Sequence, residues 1–276
     1  MKLFLKIILL KPLFNLLILL VFLMPKNNLG MAVIILTILI RLAILPLTKT
    51  ITRQQALMQK LKPEMDKLKV EYKDNQQEMA KATMEFYKKH NISPFGSCLP
   101  MIVQLVILIV LYYVFRIGVT TERFDLLYSF TPRPDSINPN FLGIDLSKPD
   151  LWVLPIITGV LQFIQTWQML PKGKISKDDP AGAMQKNMVY FFPIFTVMIA
   201  RGFPAALPLY WSVSSIVSII QQKSVLAQTD KINVREADKL LESGANIDEV
   251  VNIESTKQEI EKSTKKGVEI TVRKRK

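Results

Sequence analysis

The 276-residue chain has one cysteine, Cys98, and one histidine, His90. One cysteine excludes an intrachain disulfide, and one histidine leaves no Cys/His cluster for a metal site, so no cofactor is expected. Acidic side chains are missing from every long apolar run, so a cation buried there finds no carboxylate within those runs. Met24-Pro25-Lys26-Asn27 offers neither a small-residue cleavage pattern nor a lipobox cysteine, which argues against removal of the N-terminal apolar segment. No internal repeat in two halves with paired broken helices is present, which disfavours a transporter. An intramembrane hydrolase needs a nucleophile with a base, and the apolar runs contain neither a histidine nor an aspartate pair, so an enzyme is not expected.

What is present is apolar. Hydrophobic residues make up 49% of the chain, and several runs approach the roughly 20 residues that a bilayer-spanning helix needs. The composition reads as an all-α polytopic membrane protein. The net charge of +13 is spread over the segments between apolar runs, so positive-inside topology explains it before nucleic acid does, and no DNA partner is expected.

One residue breaks the apolar pattern from within. Arg41 lies in LGMAVIILTILIRLAILPL, residues 29–47. A guanidinium near the bilayer centre costs about 2.5–3.5 kcal/mol on insertion scales, so it needs water or a polar partner. Thr37 precedes it by four residues and shares its helix face.

Taken in order, residues 1–28 form an apolar segment interrupted by Lys2, Lys6, Lys11, Pro12 and Asn15. These interruptions favour an N-terminal interfacial helix, with a sixth span as the alternative. The first span covers 29–48. Residues 49–92 carry ten Lys/Arg against six Asp/Glu. Leu57, Leu61, Met65 and Leu68 recur at helical spacing, as do Met79, Phe86 and Tyr87 on a second arm, which predicts a cytoplasmic helical hairpin turning at Lys73-Asp74-Asn75. Ser93-Pro94-Phe95-Gly96-Ser97 returns the chain to the membrane.

The second span, 98–117, contains Gln104 and ends at Arg116, with Tyr112 and Tyr113 as interfacial anchors. Residues 119–150 have three basic and five acidic residues and belong outside. The third span, 151–170, carries Thr158, Gln162 and Gln165 on one face. The loop 171–186 has four Lys against two Asp and belongs inside. The fourth and fifth spans are 187–200 and 205–222; the fifth bears Trp211, Ser214 or Ser215, and Ser218. The tail, 223–276, has twelve Lys/Arg and ten Asp/Glu, ends Arg-Lys-Arg-Lys, and reads as a basic cytoplasmic tail. Five spans with the N-terminus out and the C-terminus in satisfy the positive-inside rule at every loop.

Polar faces on these spans need one another or water, because lipid offers them no partner. Converging on Arg41, they predict a positively charged, hydrated site lined by Thr37, Gln104, Gln162, Gln165, Trp211, Ser214 and Ser218. Helix-to-helix glue made of Ser, Thr and Gln looks similar; the arginine without an acid is the more telling signal.

Several motifs then carry a resemblance: KPLFNLLILL at 11–20, ILTILIRLAILPLT at 35–48, ISPFGSCLPMIVQ at 92–104, and FPAALPLYWSVSSIVSIIQQ at 203–222. With the hairpin and five-span layout, the chain resembles the YidC/Oxa family of membrane protein insertases over roughly residues 11–225. The resemblance implies a five-helix transmembrane core around a hydrophilic groove open to the cytoplasm and lipid, multi-pass in a bacterial plasma membrane. In it Arg41 matches the groove arginine, while Thr37, Gln104 and Trp211 match polar or aromatic groove positions. It also implies nascent membrane-protein substrates and membrane lipids, with the hairpin receiving the nascent chain or another translocation component such as the Sec translocon; the terminal basic cluster fits either ribosomal RNA, through phosphate attraction, or the membrane surface. Two departures stand out: the residue two after Gln104 is Val106 where the family commonly has proline, and Gly96-Ser97-Cys98 replaces Gly-Gly-Cys. A non-inserting assembly chaperone of membrane proteins is the nearest rival.

Overall fold

The computed structural model describes residues 6–72, 75–90, 99–118, 126–170 and 180–229. The turn residues Lys73 and Asp74, the return segment Ser93 to Cys98, the basic loop from Pro171 and the tail beyond Thr229 lie outside these. Helix makes up 79% of the structure, in agreement with the all-α expectation. The exception is a two-stranded ribbon, which alternation over such short strands could not announce.

A π-helical turn at Lys6–Leu10 leads into α1 (Lys11–Leu23). After a tight turn in which Lys26 and Asn27 take positive φ, α2 runs over Leu29–Ala43. Asn28 starts α2 by accepting from the Met31 N–H at 3.0 Å, which satisfies one of the N–H groups that a helix start leaves without a partner. α3 follows at Leu45–Glu71 and α4 at Gln76–Lys89. The stretch expected as one span over 29–48 is thus two helices, broken at Ile44 with φ −91° and ψ 2°. Pro46 accounts for the break: it has no N–H to donate to the Leu42 carbonyl, and its ring disfavours helix at the preceding residue.

α5 spans Leu99–Gly118. The ribbon pairs β1 (Asn140–Phe141) with β2 (Ile144–Asp145) through a turn at Leu142 and Gly143. α6 (Val153–Gln168), α7 (Pro180–Ala200) and α8 (Ala206–Thr229) complete the order. α7 begins seven residues before the expected 187, and α8 continues seven past 222.

The chain divides into two compact units. The first comprises Met1–Pro46, Pro100–Leu170 and Lys174–Ile220, and the second the intervening and following residues. In the first, Phe14, Leu17, Ile18 and Val21 of α1 meet Leu29, Val33 and Leu36 of α2, Leu111 and Val114 of α5, and Leu207 and Tyr210 of α8 in one core. α6 lies along α7, and Gly159 permits it: a Cβ there would stand 2.4 Å from Cγ2 of Val197. In the second unit, Leu57, Leu61 and Met65 of α3 are buried, and the Tyr87 hydroxyl of α4 reaches the Met65 sulfur at 3.7 Å. Asn75 caps α4 through the N–H groups of Gln77 and Glu78. Gln221 donates to the Thr48 hydroxyl at 2.7 Å within the same unit.

By length and composition, no single described helix is apolar over a full bilayer-spanning length. The pair Leu29–Ala43 and Leu45–Leu68 passes together, and Ile8–Leu23, Ile102–Arg116 and Lys186–Ala200 are shorter apolar helices.

Candidate functional site

Arg41 is on the last turn of α2 and is 9% exposed. Its Nε donates to the Ser214 hydroxyl of α8 at 2.7 Å, and its Nη2 donates both to that hydroxyl and, at 3.2 Å, to Oε1 of Gln104 on α5. Three helices therefore meet on one guanidinium. Every acceptor is neutral, and α2, α5 and α8 contain no Asp or Glu. Among the described residues the guanidinium is held by a hydroxyl and an amide and meets no acid, and low surrounding polarity strengthens its pull on any carboxylate that reaches it.

Thr37 sits one turn earlier on α2, fully buried, with its hydroxyl given to the Val33 carbonyl at 2.6 Å. Tyr210 was not singled out from the sequence. It is 1% exposed and its phenol lies beside Arg41, Ser214 and Gln104. The signal was there in its spacing, since Tyr210, Ser214 and Ser218 recur every four residues, but an aromatic residue in an apolar helix reads first as core.

A second set of hydrogen bonds joins α8 to α6. The Trp211 indole N–H donates to Oε1 of Gln162 at 3.0 Å. The Thr158 hydroxyl contacts the Ser212 hydroxyl at 2.9 Å and approaches the carbonyls of Leu154 and Pro208. Ser212 was also missed, because three of its four neighbours on the helix face, Pro208, Leu209 and Ile216, are apolar. Ser214 and Ser215 are both buried, and the bond to Arg41 distinguishes them in favour of Ser214. Ser218 is buried and Gln165 half-buried. The structure thus brings Arg41, Gln104 and Ser214 together, with Thr37 a turn away, and joins Gln162 to Trp211 in a separate pair.

A third polar node lies on α1. Asn15, 4% exposed, donates to the carbonyls of Lys11 and Leu126, and its Oδ1 accepts from the Tyr128 N–H at 2.7 Å and the Thr131 hydroxyl at 2.9 Å. All four of its hydrogen-bonding positions are used. Lys11 adds a cation–π contact, 4.9 Å from the Tyr128 ring centre. In the turn between α1 and α2, Asn27 donates to the Ser136 carbonyl, and Asn28 donates to that of Asn140. Asn15 of α1 and the turn that follows α1 are therefore both fastened to the segment 126–140.

The family model described as "60Kd inner membrane protein" matches residues 21–232. A Fusobacterium nucleatum protein named membrane protein insertase YidC is 35% identical over 201 residues, which cover 72% of this chain and 87% of that protein. Proteins of the same name from Pseudoalteromonas atlantica and a Shewanella species are 35% and 37% identical, each over 74% of this chain but only 34% and 35% of their own length. The chain spans about a third of those two longer relatives. The matched region takes in Arg41, Gln104, Gln162, Trp211 and Ser214. The chain belongs to the 60Kd inner membrane protein family, the YidC/Oxa family.

Proposed function

We propose that this protein is a membrane protein insertase of the bacterial plasma membrane, using Arg41 as a charged waypoint for substrates. The observation that carries the reading is the guanidinium held by Ser214 and Gln104 with no acid from any apolar helix. The name borne by its relatives supports the same conclusion.

The surface supports a lipid setting. Ile156, Ile157, Val160 and Ile164 of α6, Phe191, Ile194, Phe195 and Met198 of α7, and Ile102, Leu105, Val106 and Ile109 of α5 are all exposed. Stripes of this size at helical spacing are a liability in water and the ordinary outer face of a helix in lipid. In this reading five helical segments cross, the segment 126–152 is outside, and the α3–α4 hairpin and the basic tail are cytoplasmic. Asn15 of α1 and the turn after α1 are both tied to 126–140, which favours an outer interfacial helix over a sixth span.

An acidic substrate tail drawn toward Arg41 crosses part of the membrane against a favourable charge, and its apolar segment leaves sideways into lipid. Gln104 and Ser214, with Thr37 a turn before Arg41 and Ser218 a turn after Ser214, line the polar groove that admits it, while Gln162 and Trp211 hold α6 to α8 beside it and Gln165 extends the polar face of α6. Release requires that this attraction stay weak, as water in the groove keeps it by screening the guanidinium. Hairpin and tail receive the nascent chain, with the Sec translocon and the ribosome as partners; phosphate attraction by the terminal basic cluster makes the ribosome contact salt-sensitive.

The test is insertion of a short single-spanning protein into liposomes with and without this protein. Protease protection of the substrate only when the protein is present supports an insertase. Equal insertion in both, with improved folding afterwards, overturns that in favour of an assembly chaperone, and measurable solute flux favours a transporter.

A further inference from the structure

The turn between β1 and β2 contains a residue that local physics does not explain. Leu142 adopts φ +50°, in the left-handed region, which costs a branched L-residue about 1 kcal/mol and which Gly, Asn or Asp would occupy more readily. Its side chain is 87% exposed, so no contact within the chain offsets that cost. The adjacent residue is fixed. Phe141 lies so close to the first turn of α2 that a Cβ on Gly30 would stand 2.2 Å from its ring, and Asn28 bonds the neighbouring Asn140 carbonyl at 2.9 Å. Leu142, one residue on, is therefore held at the level where α2 begins.

The following segment is fastened at the same level. The N–H groups of Ala205 and Ala206, entering α8, donate to the carbonyls of Lys148 and Leu146 at 2.9 and 3.1 Å. Asp150 caps α6 through the N–H groups of Trp152, Val153 and Leu154. Trp152 is 59% exposed and holds Arg201, at the end of α7, 4.3 Å from its ring centre. A half-exposed tryptophan against an arginine at helix ends is the arrangement found at the boundary between hydrocarbon and headgroups.

We propose that the β1–β2 turn is an interfacial anchor, with Leu142 seated in the outer leaflet of the bilayer beside the start of α2 and Trp152 marking the same depth at α6. The inference rests on the membrane reading above. Its occupant is lipid because the turn continues the exposed apolar face of α2, where Met31 is exposed at the same end. The anchor fixes the height of the segment that closes over the outer ends of α2, α6 and α8.

Spin labels on single cysteines test it in the full-length protein reconstituted in bilayers, with Cys98→Ala as background and Leu142→Cys, Ile38→Cys on the exposed face of α2, and Lys148→Cys compared. Collisions with oxygen, which concentrates in lipid, are measured against those with an aqueous nickel chelate. The expected result is a Leu142 label favouring oxygen, as the Ile38 label does, while the Lys148 label favours nickel. A Leu142 label that favours nickel while Ile38 favours oxygen overturns the anchor and leaves the membrane reading standing. Nickel preference at all three overturns the membrane reading itself. An immobilised Leu142 label reached by neither probe also overturns the anchor, because protein rather than lipid would then cover the turn.

Discussion

Two sets of hydrogen bonds on α8 use similar residues to opposite ends. On one side Ser212 and Trp211 meet Thr158 and Gln162 of α6, with donors and acceptors matched and no net charge. On the other, Ser214 and Gln104 meet Arg41, and among the described residues its positive charge has no acid beside it. The first arrangement is what helices need in order to stay together in lipid, where each such contact contributes about 0.6–2 kcal/mol. The second carries a desolvation cost that helix packing alone does not require. That difference separates a holding contact from a working one.

The sharpest way to break the comparison is Arg41→Ala. It is expected to lower insertion of an acidic-tailed substrate by about tenfold or more, equivalent to roughly 1.4 kcal/mol or greater, while the thermal transition in detergent stays near that of wild type. Loss of both together would make Arg41 a structural residue like its neutral counterparts.

Asn15→Leu removes four bonds at the third polar node and leaves the part-buried Tyr128 N–H without its acceptor. A cost of about 1–3 kcal/mol is expected, read as a lower melting temperature and faster hydrogen exchange at 126–131, with Arg41-dependent substrate selection unchanged. Unaltered exchange there would contradict its role as a clamp.

Ser212→Ala comes next in size and tests the neutral set, at about 0.6–2 kcal/mol of stability with insertion retained. Adding Thr158→Val should cost no more than the single change, since replacing both partners leaves neither unsatisfied. A strictly additive double loss would show that the pair is not the unit.

Much of this division was hidden in the sequence for a physical reason. Helical periodicity marked the apolar helices and the helices α3 and α4, though not their ends, because apolar side chains recur about once per turn. Arg41, Gln104 and Ser214 stood out as polar residues in apolar surroundings. Which face of α8 meets which neighbour is a packing outcome, so the split between Ser212 and Ser214 was not legible. Tyr210 was concealed by its apolar body. The break at Ile44 was legible only as Pro46, whose effect falls two residues upstream, and the ribbon at 140–145 is too short for alternation to register.

The smallest predicted effect concerns the outer segment. The Ser147 hydroxyl and backbone N–H, followed by Lys148 at 3.2 Å, hold the Asp145 carboxyl below the usual carboxylate range. A lowered folded-state value means that the associated stability is complete above the unfolded value, about 3.9, and is lost as pH falls through the lower folded one. Melting curves from neutral to acid pH should show a slight loss only at the acid end, absent in Asp145→Asn. Because this side chain is partly solvent-exposed, screening keeps the effect small.

The most direct measurement of the central claim is a matrix of insertion yields in proteoliposomes: wild type, Arg41→Lys and Arg41→Ala, each with a substrate bearing an acidic or a neutralised outer tail. Charge attraction predicts that the acidic tail gains over the neutral one in wild type and in Arg41→Lys, and that the gain vanishes in Arg41→Ala. An advantage of the acidic tail that survives in Arg41→Ala would contradict the account and move the driving force elsewhere in the molecule.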